Sequence, residues 1–437
     1  MGGERQDWNA APTVGLWLGG FPVPASERGS VADERAEEPA PHTPVFMRTF
    51  GARHAVFWGS MGVLAYLYVG FPLVVAVRGL LRQRHIASGG KPPRVTVVIP
   101  AFNEAGIILE KLENTLSLDY PADRVEVVVA SDGSADATND LVERFGRGVR
   151  LLALPRIGKN RALSEAAAVA TGEVLVFTDA DTKLTRETLL RVTAPFADPA
   201  VGGVAGERRH GDESKPNRRG AAQGKRMLRS LLSRAGSVTS AEGQIYAVRR
   251  DLFQPVPENV PDDFWVSTRV VAAHRRLVYE PRAASYPFPG VTVVRDPFER
   301  KVRIIGPLLR SFWLGRDLLN PAEYGFYSLQ LVSHKLLRRL VFVPLIGLAV
   351  TTPALRSGGK IYRGVFLAQG LLHGGALAGL LLRGTRLGRL RPLKAALTFD
   401  RNNVATGVAL AQQLTGRRPR DDMWEPQRTE VRASVRP

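Results

Sequence analysis

Val174-Leu-Val-Phe-Thr-Asp179-Ala-Asp181-Thr182 begins as a buried strand, with four apolar residues in a row and no polar alternation. It stops at two carboxylates spaced one residue apart. If the extended backbone persists, strand alternation sends Asp179 and Asp181 to the same side. Two carboxylates so placed repel unless a cation sits between them. A hard divalent ion bound to a diphosphate, Mg²⁺ or Mn²⁺, supplies that charge, because such ions prefer carboxylate and phosphate oxygens. The plainer alternative is an Asp-rich turn in which one carboxylate caps a helix from Thr185 onward. The motif alone barely separates the two, so its neighbours decide.

Working outward, strand and helix alternate from Pro92 to about Arg282, the signature of an α/β, mostly parallel, doubly wound sheet. Residues 95–99, 125–129 and 150–154 read as strands, and residues 105–118, 135–145 and 161–170 as helices. The first helix carries Ile107, Leu109, Leu112 and Leu116 as its apolar stripe. Each turn then faces the carboxyl ends of the strands, where open α/β sheets bind ligands. Pro100-Ala101-Phe-Asn103-Glu104 offers a nucleoside its backbone at Ala101 and Asn103 and the Glu104 carboxylate; the alternative is an acidic helix start. Ser131-Asp132-Gly133-Ser134-Ala-Asp136 offers a carboxylate that can accept from a base N–H; the alternative is an ordinary Asp-Gly turn. Gly158-Lys159-Asn160-Arg161 sets Lys159 and Arg161 at a helix start, where phosphates bind; the alternative is a solvated basic turn.

The 437 residues suffice for one sizeable catalytic domain with additional elements, and the absence of cysteine excludes disulfides and Cys-ligated zinc. A net charge of +19 suggests nucleic acid, but the arginines flank apolar runs: Arg78, Arg82 and Arg84; Arg338 and Arg339; Arg383, Arg386, Arg389 and Arg391. That is a membrane pattern, and nucleic acid is not expected as a partner. Residues 55–77 carry no charge and are long enough to cross a bilayer. Residues 364–382 read as a second span with Gly375-x-x-x-Gly379 as a packing face, 340–355 as short, and 395–414 as too polar to span. The expected order is a disordered tail over 1–50, a transmembrane helix over 51–81, a catalytic domain over 92–300, interfacial helices over 301–339, a C-terminal transmembrane region over 340–415 and a charged cytoplasmic tail over 416–437. Residues 208–234, strongly basic, read as a mobile loop leading into a helix. Charge asymmetry around the first span puts the N-terminus outside and the domain in the cytoplasm, at the inner membrane. No phosphate loop, Gly-x-Gly-x-x-Gly, nucleophile elbow or His-Glu-x-x-His is present, leaving kinase, dehydrogenase, hydrolase and zinc-enzyme readings unsupported.

Val-Ile-Pro-Ala-x-Asn-Glu, Ser-Asp-Gly-Ser-x-Asp, Gly-Lys-x-x-Ala-Leu and Thr-Asp-Ala-Asp, in this order, resemble a family-2 glycosyltransferase. The resemblance is to the membrane-bound branch with cellulose, hyaluronan and poly-N-acetylglucosamine synthases. It covers residues 92 to about 340, and Trp424-Glu-Pro-Gln-Arg428 fits it too. It implies a GT-A-type doubly wound mixed sheet and an inverting transfer from a nucleotide-diphosphate sugar, UDP-linked, to a saccharide or lipid-linked acceptor. It further implies that Asp132 contacts the base, that Asp179 and Asp181 hold Mg²⁺ or Mn²⁺ on the diphosphate, and that cations near Lys159 steady the departing diphosphate. Pro261-Asp262-Asp263-Phe264-Trp265 matches the family's acidic pair, with Asp263 as general base beside Asp262. Arg300-Lys-Val-Arg303-Ile304 stands where processive members carry Gln-x-x-Arg-Trp, so only Arg303 carries over. Ser240-Ala-Glu-Gly243-Gln244 lies where acceptor contacts are expected but lacks the usual aromatic pair, so processivity is not expected. The alternatives are a single-transfer lipid glycosyltransferase and a membrane-tethered nucleotide-sugar-binding protein without turnover.

Overall fold

The computed structural model describes residues 51–82, 86–87, 89–209, 216–288 and 297–415. Residues 1–50 and 416–437, with the expected tails and Trp424, lie outside the described residues, as does Arg84. The described strands form one eight-stranded sheet: β1 Val95–Ala101, β2 Val125–Asp132, β3 Val149–Leu154, β4 Val174–Phe177, β5 Thr182–Leu184, β6 Val201–Arg208, β7 Tyr246–Arg249 and β8 Arg276–Pro287, in the order β3-β2-β1-β4-β7-β6-β8-β5. The first four pair in parallel; β7 runs antiparallel to both β4 and β6, and β5 antiparallel to β8. The sheet is therefore mixed, as the resemblance implies, and its parallel half is the part that alternation of strand and helix reveals.

Register aligns the carboxyl ends. Val95 pairs with both Val125 and Val174, so Ala101 lies opposite Ser131 and Val98 opposite Phe177. The turns after β1, β2 and β4 consequently open on one edge. Both sheet faces are covered, which explains the unbroken apolar runs. Val98, Val128, Leu175 and Phe177 pack on the helix Lys159–Val169, while Val97, Ile99, Val127 and Val176 pack with the helix Ile108–Leu116. That second helix buries Ile108, Lys111, Leu112 and Thr115 and leaves Leu109 exposed, so the expected stripe is displaced and contains a lysine.

Two described helices are long and apolar enough to cross a membrane: Ala52–Leu81, with mean hydropathy 1.9, and Lys360–Leu381, with 1.5. A third crossing would need Phe326–Leu337 and Phe342–Leu355, which meet at a 60° bend. Arg391–Leu414 is a helix that does not meet that standard; it carries Asp400, whose Oδ2 lies 2.9 Å from His373 Nδ1. The helix Pro297–Leu314 buries Ile305, Leu308 and Phe312 and leaves Trp313 exposed. The basic stretch forms the helix Pro216–Ala235, which packs on Ala52–Leu81 so closely that a Cβ on Gly79 would lie 2.8 Å from the Leu231 carbonyl oxygen. Bulk at Gly79 would part the span from the helix beside the domain.

Candidate active site

The first two turns are tied to each other. Asn103, with φ 53°, donates its N–H to Ser134 Oγ (3.1 Å) and accepts from Ala135 N–H at Oδ1 (2.8 Å). Glu104 N–H donates to Thr138 Oγ1 (2.8 Å), and Ala105 N–H to Asp136 Oδ2 (3.0 Å). Ala101 ends β1 fully buried, and Glu104 is buried as well. Asp132 is fully buried and occupied: its carboxylate accepts from Ile157 N–H (2.7 Å), Gly158 N–H (2.8 Å) and Arg156 Nη1 (2.6 Å). Arg156 in turn lies over the Phe102 ring, 3.4 Å from its centroid. Gly133, φ 68°, permits this, since a Cβ there would sit 2.8 Å from Arg156 N. Asp132 thus fixes the loop that precedes Lys159. A base contact, which the resemblance implies for it, would have to share a carboxylate that already accepts these three bonds.

Lys159 opens its helix and reaches into the acidic cluster. Its Nζ lies 3.0 Å from Asp179 Oδ1 and 3.3 Å from Asp262 Oδ1. Burial alone would lower its pKa, but Asp179 and Asp262 outweigh burial and hold it above the usual lysine range. Asn160, the next residue, donates from Nδ2 to the carbonyls of Pro257 (2.7 Å) and Val260 (2.9 Å), clipping down the strap that leads to the acidic pair. Asp262 and Asp263 form the first turn of the helix Asp262–Ala272. Burial, then repulsion from Asp262, pushes Asp263 up to about 7, against Lys335 and the Phe264 N–H, which favour its charge. Tyr246, fully buried, donates its hydroxyl to Asp262 Oδ2 (3.3 Å) and is pushed well above the usual tyrosine range by burial and by Asp262. Gly243 borders Asp263: a Cβ there would lie 3.7 Å from its Oδ2.

The expectation of extended backbone through Asp179 and Asp181 is corrected. β4 ends at Phe177, and Thr182 N–H closes a turn on the Asp179 carbonyl (3.3 Å). Strand alternation therefore does not govern the two acids, which sit partly exposed on that turn. Beneath it lies a residue that sequence reasoning missed. Lys111 is fully buried and donates from Nζ to Thr178 Oγ1 (2.9 Å) and to the Thr182 carbonyl (2.5 Å). Burial pushes it down to about 7, although Asp179 and Asp181 both favour its charge. The sequence sets it three and four residues from Ile108 and Ile107, but nothing there separates a buried cation from a solvated one. The two remaining expected arginines lie on helices. Arg161 is exposed on the flank of its helix, and Arg303 belongs to the helix Pro297–Leu314; Lys159, Tyr246 and Lys335 are what surround the acidic pair.

Among the described residues no three His, Cys, Asp or Glu side chains converge as a ready metal cage. Two partly exposed carboxylates on one turn fit a different donor set. Ions of the Mg²⁺ kind take one or two carboxylates and leave other positions to substrate phosphates and water.

Residues 96–256 match the family described as glycosyl transferase family 2. The beta-monoglucosyldiacylglycerol synthase of Trichormus variabilis is 29% identical over 165 residues, covering 35% of this chain and 34% of that protein. The poly-beta-1,6-N-acetyl-D-glucosamine synthase of Staphylococcus epidermidis is 25% identical over 236 residues, covering 50% of this chain and 56% of that protein. The matched stretch spans about a third of the length of the first of these relatives. A solved structure, mannosyltransferase PcManGT from Pyrobaculum calidifontis in complex with GDP-Man and Mn²⁺, superposes with a TM-score of 0.63 at 25% identity, covering 84% of this chain and 100% of that one. The eight-stranded mixed sheet and the family match together establish that the chain carries a family-2 glycosyltransferase domain on a GT-A fold.

Proposed function

We propose that the chain transfers a sugar, with inversion, from a nucleotide-diphosphate sugar to an acceptor hydroxyl at the cytoplasmic face of a membrane. The observation that carries this reading is the meeting of Lys159 with Asp179 and Asp262, next to an Asp263 whose pKa lies near neutrality. A carboxylate poised there is suited to general-base work. Asp263 takes the proton from the acceptor hydroxyl, whose oxygen attacks the anomeric carbon. The bond from that carbon to the diphosphate breaks, and negative charge grows on the leaving group. Lys159 is the partly exposed cation at that point, and a diphosphate oxygen would compete with Asp179 for it. Asp179 and Asp181 would hold a divalent ion, which would supply further positive charge to the diphosphate when bound.

The acceptor reaches the site from the bilayer in this reading. Glu242, one residue from the Gly243 that borders Asp263, is bonded to Lys225 at 2.7 Å, on the basic helix that packs against the first span. A lipid or lipid-linked saccharide fits that placement. Arginines beside the apolar helices support a multi-pass arrangement with the domain on the cytoplasmic side. PcManGT was solved with GDP-Man, so the expectation of a uridine donor needs a test against guanosine donors. Purified membranes would be offered a panel of nucleotide sugars while release of nucleoside diphosphate is read. One donor class should turn over; release from none of them would reject the proposal.

A further inference from the structure

Residues 178–184 carry both donor-side acids, and the sheet holds them through Thr178 N–H on the Val98 carbonyl (3.2 Å), Phe288 N–H on the Asp181 carbonyl (3.1 Å) and the pairing of β5. β5 has three residues, stands at the edge of the described sheet and, among the described strands, pairs with β8 alone. Opposite Thr182 is Pro287, which has no N–H to give. The Thr182 carbonyl accepts from Lys111 Nζ at 2.5 Å, and the same ammonium reaches Thr178 Oγ1 at 2.9 Å, on the other side of the turn. Three residues along the same helix, Asn114 accepts from Leu184 N–H (2.8 Å) and donates to the Leu184 carbonyl (2.9 Å). The helix Ile108–Leu116 thus does for this segment what a neighbouring strand would otherwise do.

A buried ammonium is an expensive way to satisfy two oxygens. An apolar side chain of similar volume would avoid its desolvation but would leave the Thr182 carbonyl without this bond. The choice of lysine makes sense beside Asp179 and Asp181, which each lie next to one of the two anchored residues.

We infer that Lys111 is a positioning residue: its Nζ pins both sides of the Asp179–Thr182 turn and so holds Asp179 and Asp181 in the arrangement that donor binding requires. This rests on the proposed transferase reading, and the experiment separates the two. Hydrogen exchange of the unliganded full chain in detergent is followed at residues 178–184 for the native protein, Lys111→Met and Lys111→Gln. Titrations with UDP plus Mn²⁺ and GDP plus Mn²⁺, and melting curves, accompany it. Lys111→Met should speed exchange at 178–184 by at least about tenfold, the effect of losing a hydrogen bond to a charged donor. It should weaken nucleotide binding by about the same factor and leave exchange in the rest of the sheet as it was. Lys111→Gln, which keeps a donor without the charge, should fall between, and it carries the test if Lys111→Met fails to fold. Unchanged exchange at 178–184, or exchange raised throughout together with a lower melting temperature, overturns the inference. If the native protein binds neither nucleotide, the transferase reading fails, and the exchange data still decide whether Lys111 orders the turn.

Discussion

Lys159 Nζ and Asp262 Oδ1 meet at 3.3 Å although they open two different helices. The same ammonium reaches Asp179, so one cation links the turn after β4 to the helix that carries the acidic pair. In the proposed reading a single side chain thereby holds donor side and acceptor side in register. Replacing it by methionine removes the charge while keeping the bulk. Lys159→Met should lower turnover by about 10²–10³-fold, the usual effect of removing one group that stabilises developing negative charge. Initial rates of nucleoside diphosphate release would check it; a loss below tenfold would show that Lys159 does not face the leaving group.

Asp263 sets the pH dependence. A general base must be deprotonated, and burial with repulsion from Asp262 raises Asp263 to about 7. Turnover should fall below about pH 7 and level off above it. The stability sign is opposite. The folded chain holds this proton more tightly than the unfolded chain does, so this group's contribution to stability declines as pH rises from about 4 to about 7. Asp263→Asn should therefore melt higher than the native protein at pH 8, and the difference should shrink toward pH 5. Melting curves at both pH values decide it.

Asn160 holds the strap before the acidic pair through the Pro257 and Val260 carbonyls. Asn160→Ala should cost about 1–2 kcal/mol of stability for those two bonds. It should also lower kcat more than it changes nucleotide affinity, because in the proposed reading the acids it positions act on the acceptor. Equal loss in both would place Asn160 on the donor side.

Gly243 tests where the acceptor hydroxyl sits. A methyl there would make ordinary contact with Asp263 Oδ2, at 3.7 Å, so Gly243→Ala should fold normally. It should raise the acceptor KM severalfold and leave nucleotide binding as it was. An unchanged acceptor KM would remove this approach to the base.

The parallel half of the sheet was legible because its strands are buried on both faces and read as short apolar runs between turn residues. The remainder was harder. β6, Val201-Gly-Gly-Val-Ala-Gly-Glu-Arg, is rich in glycine and breaks the usual pattern of strand composition. The turns that build the site were found, yet their side chains were assigned one task each. Asp132 is consumed by its own loop, which only the fold reveals. The acids at 179 and 181 share a turn rather than a strand face, since a chain reversal overrides period-two alternation. Lys111 was overlooked because one charge within an amphipathic helix reads as solvated, and only burial distinguishes it.

The most direct measurement compares the native chain with Asp263→Asn in one preparation of membranes, reading nucleoside diphosphate released from the donor that turns over and, by titration, nucleotide binding in Mn²⁺. An assembled transferase centre predicts that the variant binds nucleotide as tightly as the native chain and releases none beyond background. Sustained release by Asp263→Asn would contradict the assignment of the base and the arrangement built around it.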